Sequence, residues 1–151
     1  MAAFFRIVQA QWSASAMSGE GARRWGGRWN PPGIAAVYLA ESRALAALEI
    51  LVHAQREAIR LEWNVIEVEI SNDLISLASS ADLPADWRAL PSSPGARQFG
   101  EEWLRHGKSV ALSLPSVLVP EERVLLVDPL HPDFIKLRVS EPQMFQFDPR
   151  L

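Results

Sequence analysis

The amino-acid sequence predicts a single α+β domain over residues 1–151, with a mixed β core and two main helices. Residues 63–70 alternate aliphatic and charged side chains, which is typical of a half-buried strand. Two windows, 43–58 and 95–107, carry apolar residues at helical spacing. The remaining apolar segments are short and do not alternate regularly with helices, so the pattern argues against a doubly wound parallel sheet.

The first third of the chain predicts two strands, one loop and one helix. Residues 3–9 and 35–40 are mainly apolar and predict strands. Between them, residues 12–34 are rich in Gly, Trp, Arg, Ser and Pro, which predicts an ordered loop without regular structure. Ser42 is a suitable N-cap for the helix over 43–58.

The rest of the chain predicts one helix and several strands. Residues 71–94 are interrupted by turn-forming residues, with one helical turn predicted near 86–90. Phe99 and Trp103 share a face of the second main helix, and Gly107 predicts its C-terminal end. Besides 63–70, the predicted strands are 109–120, 123–128, 134–140 and 144–148.

The composition excludes several kinds of chemistry. The chain has no cysteine, which excludes disulfides, thiolate metal sites and cysteine nucleophiles. Three histidines are a poor basis for a zinc site, so we expect no bound metal. The longest apolar runs are too short to span a bilayer, and the N-terminus lacks the pattern of a signal peptide. We therefore expect a cytoplasmic protein without membrane contact.

The net charge of -3 conceals an uneven distribution. Residues 1–60 carry seven arginines and four glutamates, a charge of +3, and the remainder carries -6. Arginine binds planar anions such as phosphates through two parallel hydrogen bonds, which lysine cannot do. The arginine-rich first third therefore indicates a local phosphate site. It does not indicate a broad nucleic-acid surface, which the sequence pI of about 5.6 disfavours.

Glu49 is the most unusual residue of the sequence. It lies on the predicted helix among apolar neighbours, where a carboxylate is costly unless it is paired or functional. A boundary glutamate paired with His53 or Arg56 is an equally good interpretation from the sequence alone.

The segment GARRWGGRWNPPG is the second unusual feature. Its consecutive glycines permit a close approach of a ligand to the backbone, and Arg28 could present its guanidinium to a diphosphate. The alternative is a surface loop whose tryptophans anchor it to the core. The segment lacks the sequence of a Walker A loop or a dinucleotide fingerprint.

Three other polar residues permit only weak inferences. Arg6 interrupts an apolar strand, so it faces either solvent or a buried anion. Ser116 is uninformative by itself, and the chain has no G-x-S-x-G hydrolase motif. His131, in DPLHPDF, is typical of a turn and not of a metal site.

Taken in order, five segments resemble the RES domain family over essentially the whole chain. They are GGRWNPPG (26–33), VYLAES (37–42), ALAALEILVH (ending at 53), LPSVLVPEE (114–122) and LLVDPLHPDF (125–134). The resemblance implies a fold like that of diphtheria-toxin-type ADP-ribosyltransferases. It also implies the toxin of a type II toxin–antitoxin pair, which degrades NAD⁺ as a substrate by hydrolysis or phosphorolysis. An Xre-like antitoxin that covers the active site is the implied partner.

The resemblance also implies roles for five residues. Arg28, Glu49 and Ser116 fall on the Arg, Glu and Ser positions after which the family is named, and Arg6 and Tyr38 fall on further site positions. Glu49 would stabilise positive charge at the anomeric carbon of the nicotinamide ribose. Arg6 and Arg28 would hold phosphates or ribose oxygens, and Tyr38 would offer its ring to nicotinamide. Ser116 would bind a phosphate or order its loop.

The sequence departs from the usual pattern of the family at two positions. Leu114 precedes Pro115 where the family more often has valine, and Asp128 stands where the family usually has asparagine, with the same turn contacts expected.

Two other functions are also compatible with the sequence. One alternative function is mono-ADP-ribosylation of a protein target. The other, from a different class, is a nucleic-acid-binding module that uses the GARRWGGRWN segment.

Overall fold

The computed structural model describes residues 1–151 as one mixed eight-stranded sheet with helices on one face. The strands are β1 (Ala2–Gln9), β2 (Val37–Ala40), β3 (Trp63–Ile70), β4 (Ile75–Leu77), β5 (Ala111–Pro115), β6 (Arg123–Val127), β7 (Arg138–Val139) and β8 (Gln143–Phe145). The helices are α1 (Glu20–Trp25), α2 (Arg43–His53) and α3 (Pro94–His106). No helix has the length and apolar character needed to cross a membrane.

The strand order is β4-β5-β6-β2-β1-β3-β7, and β8 also pairs with β3. All neighbours are antiparallel except β4 and β5. The predicted α+β class, with a mixed sheet and two main helices, is therefore confirmed.

Both faces of the sheet are buried. On one face, Val68, Val110 and Val127 belong to an aliphatic core that has no α-helix over it. On the other face, α2 packs on β1 and β2 through Leu45 and Ala46. The α3 residues Ala96 and Leu104 pack in a neighbouring cluster on β5 and β6, completing the second layer.

The capping predictions for the two main helices are confirmed. The Ser42 hydroxyl accepts a hydrogen bond from the Leu45 amide at 3.0 Å, and Gly107 ends α3 with a φ of 61°. However, α2 ends at His53 and not at residue 58. A separate 3₁₀ turn, Arg56–Arg60, follows it and buries Ile59 in the cluster under α2.

Three other boundary predictions are wrong. The loop over 12–34 contains α1, which lies between two glycines of positive φ. The strand predicted over 109–120 stops at Pro115, where a turn begins. The strand predicted over 134–140 is reduced to Arg138–Val139, because residues 134–136 belong to a 3₁₀ turn, Pro132–Lys136. The His131 ring caps this turn by accepting a hydrogen bond from the Asp133 amide. At this place the chain forms the capped 3₁₀ turn and not the strand that the apolar alternation predicted.

Candidate active site

A cavity of about 590 Å³ opens where β1 and β2 separate. The two strands are paired at one position, Phe5 with Ala40, and the residues flanking this pair line the cavity. The helix α2 and the loop after α1 form two further walls. The volume is in the range typical of small-molecule sites, and most of the lining is hydrophobic.

The loop after α1 is anchored by Trp29, which is only 2% exposed. Its ring stacks on Trp87 and contacts the edge of Phe99. Helix α3 approaches the loop so closely at Gly100 that an added Cβ would lie 1.8 Å from the Trp29 carbonyl oxygen. The anchored-loop interpretation of this segment is therefore correct for Trp29, and its ring is unavailable for stacking on a nucleic-acid base.

Tyr38 and Asn30 connect this loop to β2. The Tyr38 hydroxyl donates to Asn30 Oδ1 and accepts from the Trp29 amide. Asn30 is fully buried, and its amide donates to the carbonyls of Ala22, Pro31 and Ile34. Burial raises the pKa of Tyr38, so its hydroxyl stays protonated. Tyr38 therefore lines the cavity with its ring, while its hydroxyl has a structural role.

Asn30 was missed by the sequence reasoning. The available signal was a single polar residue inside GGRWNPPG, a segment otherwise interpreted through its arginine and tryptophans. Nothing in the linear pattern shows that one amide organises three backbone carbonyls, since these partners become visible only in the folded loop.

Arg28 lines the cavity and also holds a neighbouring segment. Its Nη1 donates to the carbonyls of Trp87 and Ala89, at 3.0 and 2.9 Å. Burial lowers the pKa of Arg28, whereas the negative charge of Glu49 acts in the opposite direction. The guanidinium thus combines a structural role with a position on the cavity wall.

Arg6 points into the interior, which excludes the solvent-facing interpretation. Its Nη1 donates to the Tyr38 carbonyl at 3.1 Å, and its Nε is buried without any partner. No carboxylate lies within ion-pair distance of it, and burial lowers its pKa. A buried guanidinium in this state is suited to an anionic ligand, which would supply the missing charge and hydrogen bonds.

Glu49 projects from α2 into the same cavity. It forms no ion pair within 4.0 Å, so the pairing with His53 or Arg56 is not present. Burial raises the pKa of Glu49, while the positive charges of His53 and Arg28 act in the opposite direction. The carboxylate is therefore held in a mainly apolar wall, close enough to Arg28 to feel its charge but free of a direct bond to it.

Ser116 is the one predicted site residue that does not line the cavity. It is fully buried, and its hydroxyl accepts hydrogen bonds from the Leu118 and Val119 amides, both at 3.1 Å. Its neighbours Val117 and Leu118 do line the cavity. Of the two roles predicted for Ser116, the geometry favours ordering the loop, and direct phosphate binding stays a prediction.

The remaining predicted polar residues occupy turns. The Asp128 carboxylate accepts a hydrogen bond from the Leu130 amide, which is the expected turn contact. The His131 ring bonds the Asp133 amide and the Gly107 carbonyl. No three or more His, Asp or Glu side chains are grouped so as to hold a metal ion.

Comparisons with known proteins show the family to which the chain belongs. A family model described as "RES domain" matches residues 3–148. A protein of Yersinia enterocolitica named "Toxin Res" is 43% identical over 148 residues, 97% of each chain. A "Prs ADP-ribosylating toxin" of Sphingobium sp. is 37% identical over 98% of this chain and 95% of its own.

A third similar protein is MbcT of Mycobacterium tuberculosis, named an NAD(+) phosphorylase. A 48-residue segment is 50% identical, covering 31% of this chain and 26% of MbcT. The crystal structure of the MbcT–MbcA toxin–antitoxin complex matches the fold with a TM-score of 0.80 at 21% identity, over 96% of this chain and 84% of that chain.

Proposed function

Because the chain belongs to the RES domain family, we propose that its cavity binds NAD⁺ and cleaves the bond between nicotinamide and ribose, which makes the protein a growth-arresting toxin. One observation carries this proposal. An unpaired carboxylate, Glu49, shares one cavity with the two guanidinium groups of Arg6 and Arg28. This is the charge arrangement that a dinucleotide with an anionic diphosphate and a cationic nicotinamide requires.

Each end of the substrate has a matching partner. Arg6 offers a buried cation without a counterion, which suits the diphosphate. Tyr38 offers a ring but no free hydroxyl, which suits the flat nicotinamide.

Glu49 acts on the bond that breaks. Cleavage leaves positive charge at the anomeric carbon, and a nearby, partly buried carboxylate stabilises it with less solvent screening than at the surface. Nicotinamide leaves as a neutral group, so the reaction needs no general acid at the leaving nitrogen. The absence of a second carboxylate in the cavity lining is consistent with this requirement.

We also propose that an Xre-like antitoxin covers the cavity. MbcT is found in a toxin–antitoxin complex. In the present chain the cavity lining includes Trp25, Leu90 and Val52, which are 83%, 81% and 53% exposed. Large exposed apolar side chains around a functional cleft are typical of a protein interface. A protein seated there would both bury them and block access to Glu49.

Mono-ADP-ribosylation of a protein is the second candidate function. It is favoured by the Sphingobium relative, which is named an ADP-ribosylating toxin and aligns over nearly the whole chain. The same cavity and the same Glu49 serve both functions, because they differ in the group that receives ADP-ribose after nicotinamide leaves.

One assay tests the proposal and separates the two functions. Purified protein is incubated with adenine-labelled NAD⁺, with and without bacterial lysate, and products are identified by mass. Release of nicotinamide with free ADP-ribose or its phosphate supports NAD⁺ degradation, whereas a labelled protein band supports transfer. Glu49→Gln should abolish both, and the exposed Glu102→Gln on α3 should abolish neither. Wild-type protein that leaves NAD⁺ intact in both conditions contradicts the proposal.

A further inference from the structure

A second cavity of about 250 Å³ adjoins the first and is called the Arg97 groove below. It is lined by Trp25, Gly26, Gly27, Pro91, Ser92 and Arg97. Four of these residues also line the larger cavity, namely Trp25, Gly26, Gly27 and Ser92. A ligand in the groove would therefore have a direct route to the cavity that contains Glu49.

Arg97, which lines this groove, is an incompletely paired cation. Its Nε is buried and has no hydrogen-bond partner. Its Nη2 donates one long bond of 3.3 Å to the Ser92 carbonyl. It forms no ion pair, unlike Arg105 on the same helix, which pairs with Glu101 at 2.8 Å. A guanidinium left in this state favours an anion that can accept several of its donors.

The surroundings of Arg97 also suit a small anion. Ser92, which carries a hydroxyl, also lines the groove, and Gly26 and Gly27 contribute lining without side chains. The two Arg28 hydrogen bonds to Trp87 and Ala89 hold the chain just before this serine. These bonds connect the wall of the larger cavity to the segment that lines the groove.

We propose that the Arg97 groove binds inorganic phosphate as the acceptor of ADP-ribose. This inference rests on the proposed function. Phosphorolysis is the activity in the name of MbcT, and the inference goes further by assigning a site for the phosphate in this chain. A phosphate oxygen forms a bond to the anomeric carbon, and the carbon–nitrogen bond breaks with its electron pair going to nicotinamide. The products are nicotinamide and ADP-ribose-1″-phosphate. The leaving group needs no proton, and the phosphate brings its own nucleophilic oxygen.

A phosphate group in this groove has two possible sources, the free anion or the diphosphate of NAD⁺ itself. Both sources present the same phosphate oxygens to Arg97, but kinetics distinguish them through the KM for phosphate and the KM for NAD⁺. Loss of an acceptor site weakens saturation by phosphate, whereas loss of a dinucleotide site weakens saturation by NAD⁺.

The test compares Arg97→Gln with Arg105→Gln, a matched control on the outer face of the same helix. We expect Arg97→Gln to raise the KM for phosphate at least about tenfold, since a charge-assisted hydrogen bond is lost. The KM for NAD⁺ should rise far less, and the product should shift from ADP-ribose-1″-phosphate towards ADP-ribose. Arg105→Gln should leave both constants and the product ratio at wild-type values. Ser92→Ala should move the phosphate KM in the same direction by a smaller factor.

Three outcomes would overturn the inference. They are an unchanged phosphate KM in folded Arg97→Gln protein, a rise confined to the KM for NAD⁺, and a wild-type protein that forms only ADP-ribose when phosphate is present. If the wild type consumes no NAD⁺, the proposed function fails independently. Calorimetric titration with inorganic phosphate then tests the groove alone, and binding that is equal in wild type and Arg97→Gln contradicts it. Thermal unfolding establishes that each variant is folded.

Discussion

Arg6 and Arg123 lie on two strands of the same sheet, but the surroundings of their guanidinium groups differ. Arg123, at the start of β6, donates to Ser113 Oγ at 2.9 Å and to the carbonyls of Ser113 and Ala78 at 2.8 and 2.6 Å. Arg6, on β1, has one acceptor at 3.1 Å and a buried Nε with none. The first guanidinium is satisfied by the protein, whereas the second is not.

The difference identifies which arginine serves the fold and which serves a ligand. Buried polar groups are normally paired, because an unpaired one loses hydration without compensation. Arg123 is only partly buried, and its hydrogen bonds link β6 to β5 and to the segment after β4. Arg6 departs from the rule at the position where β1 and β2 separate, which is expected where an incoming anion completes the pairing.

The largest effect is expected at Glu49, which shares the cavity with Arg6. Glu49→Gln should lower kcat for NAD⁺ cleavage by at least about 100-fold, because the charge opposite the developing cation is lost. Its free energy of unfolding should stay the same or rise, because a carboxylate with a burial-raised pKa is replaced by a neutral group. Steady-state kinetics and thermal unfolding measure the two effects. A fully active Glu49→Gln would remove the mechanism proposed above.

Arg123→Met should have the next largest effect, on stability. The substitution leaves the buried Ala78 carbonyl without this donor and removes one of the two donors of the Ser113 carbonyl, which also accepts from the Ala78 amide. We expect the free energy of unfolding to fall by about 2 kcal/mol. The folded fraction should keep the wild-type KM for NAD⁺, since Arg123 does not line the cavity. Chemical denaturation and kinetics at low temperature check both expectations. An unchanged stability would show that these hydrogen bonds contribute little.

Arg6→Met makes the same substitution in the other region. We expect the affinity for NAD⁺ to fall at least about tenfold, with an unchanged or higher free energy of unfolding, because replacing an unpaired buried charge by an apolar side chain is often neutral or stabilising. Titration calorimetry and denaturation test the pair of expectations. A destabilisation as large as that of Arg123→Met would contradict the comparison between the two arginines.

The smallest effect concerns pH. Burial raises the pKa of Glu49, and the positive charges of His53 and Arg28 partly oppose that rise. If the ionised carboxylate is the active form, the rate falls as the pH falls through this raised pKa, at a higher pH than for an ordinary glutamate. His53→Gln removes one opposing charge and should move this acid limb to still higher pH. The pH dependence of the rate in wild type and His53→Gln measures this shift. If the rate of the variant falls at the same or a lower pH than that of the wild type, His53 does not influence the pKa of Glu49.

Several elements were predictable because their signals are local. The alternation over 63–70 predicted β3 with both its ends, and Ser42 and Gly107 predicted helix termini through hydrogen bonds made within one turn. The errors at 134–140 and at the end of α2 came from apolar patterns that fit a strand or a helix. In both places the chain forms a 3₁₀ turn, which seats Leu137 or Ile59 in the core.

The candidate site was predictable in its chemistry more than in its geometry. Glu49 stood out as a carboxylate among apolar residues, and the cavity explains that position. The two roles of Arg28, the structural hydroxyl of Tyr38 and the loop position of Ser116 depend on partners distant in sequence. Asn30 and Arg97 carried no local signal, since an isolated amide or arginine is common in any loop or helix.

The sequence by itself determined the α+β class, the absence of cysteine chemistry and the arginine-rich first third, because these depend on composition and short-range periodicity. Only the tertiary structure decided whether Arg6 faces water or the interior. That choice depends on β1 and β2 pairing at one position and then separating, which places Arg6 beside the Tyr38 carbonyl, 32 residues along the chain. Strand pairing sets such distant contacts, and no local pattern of side chains encodes where a pairing ends.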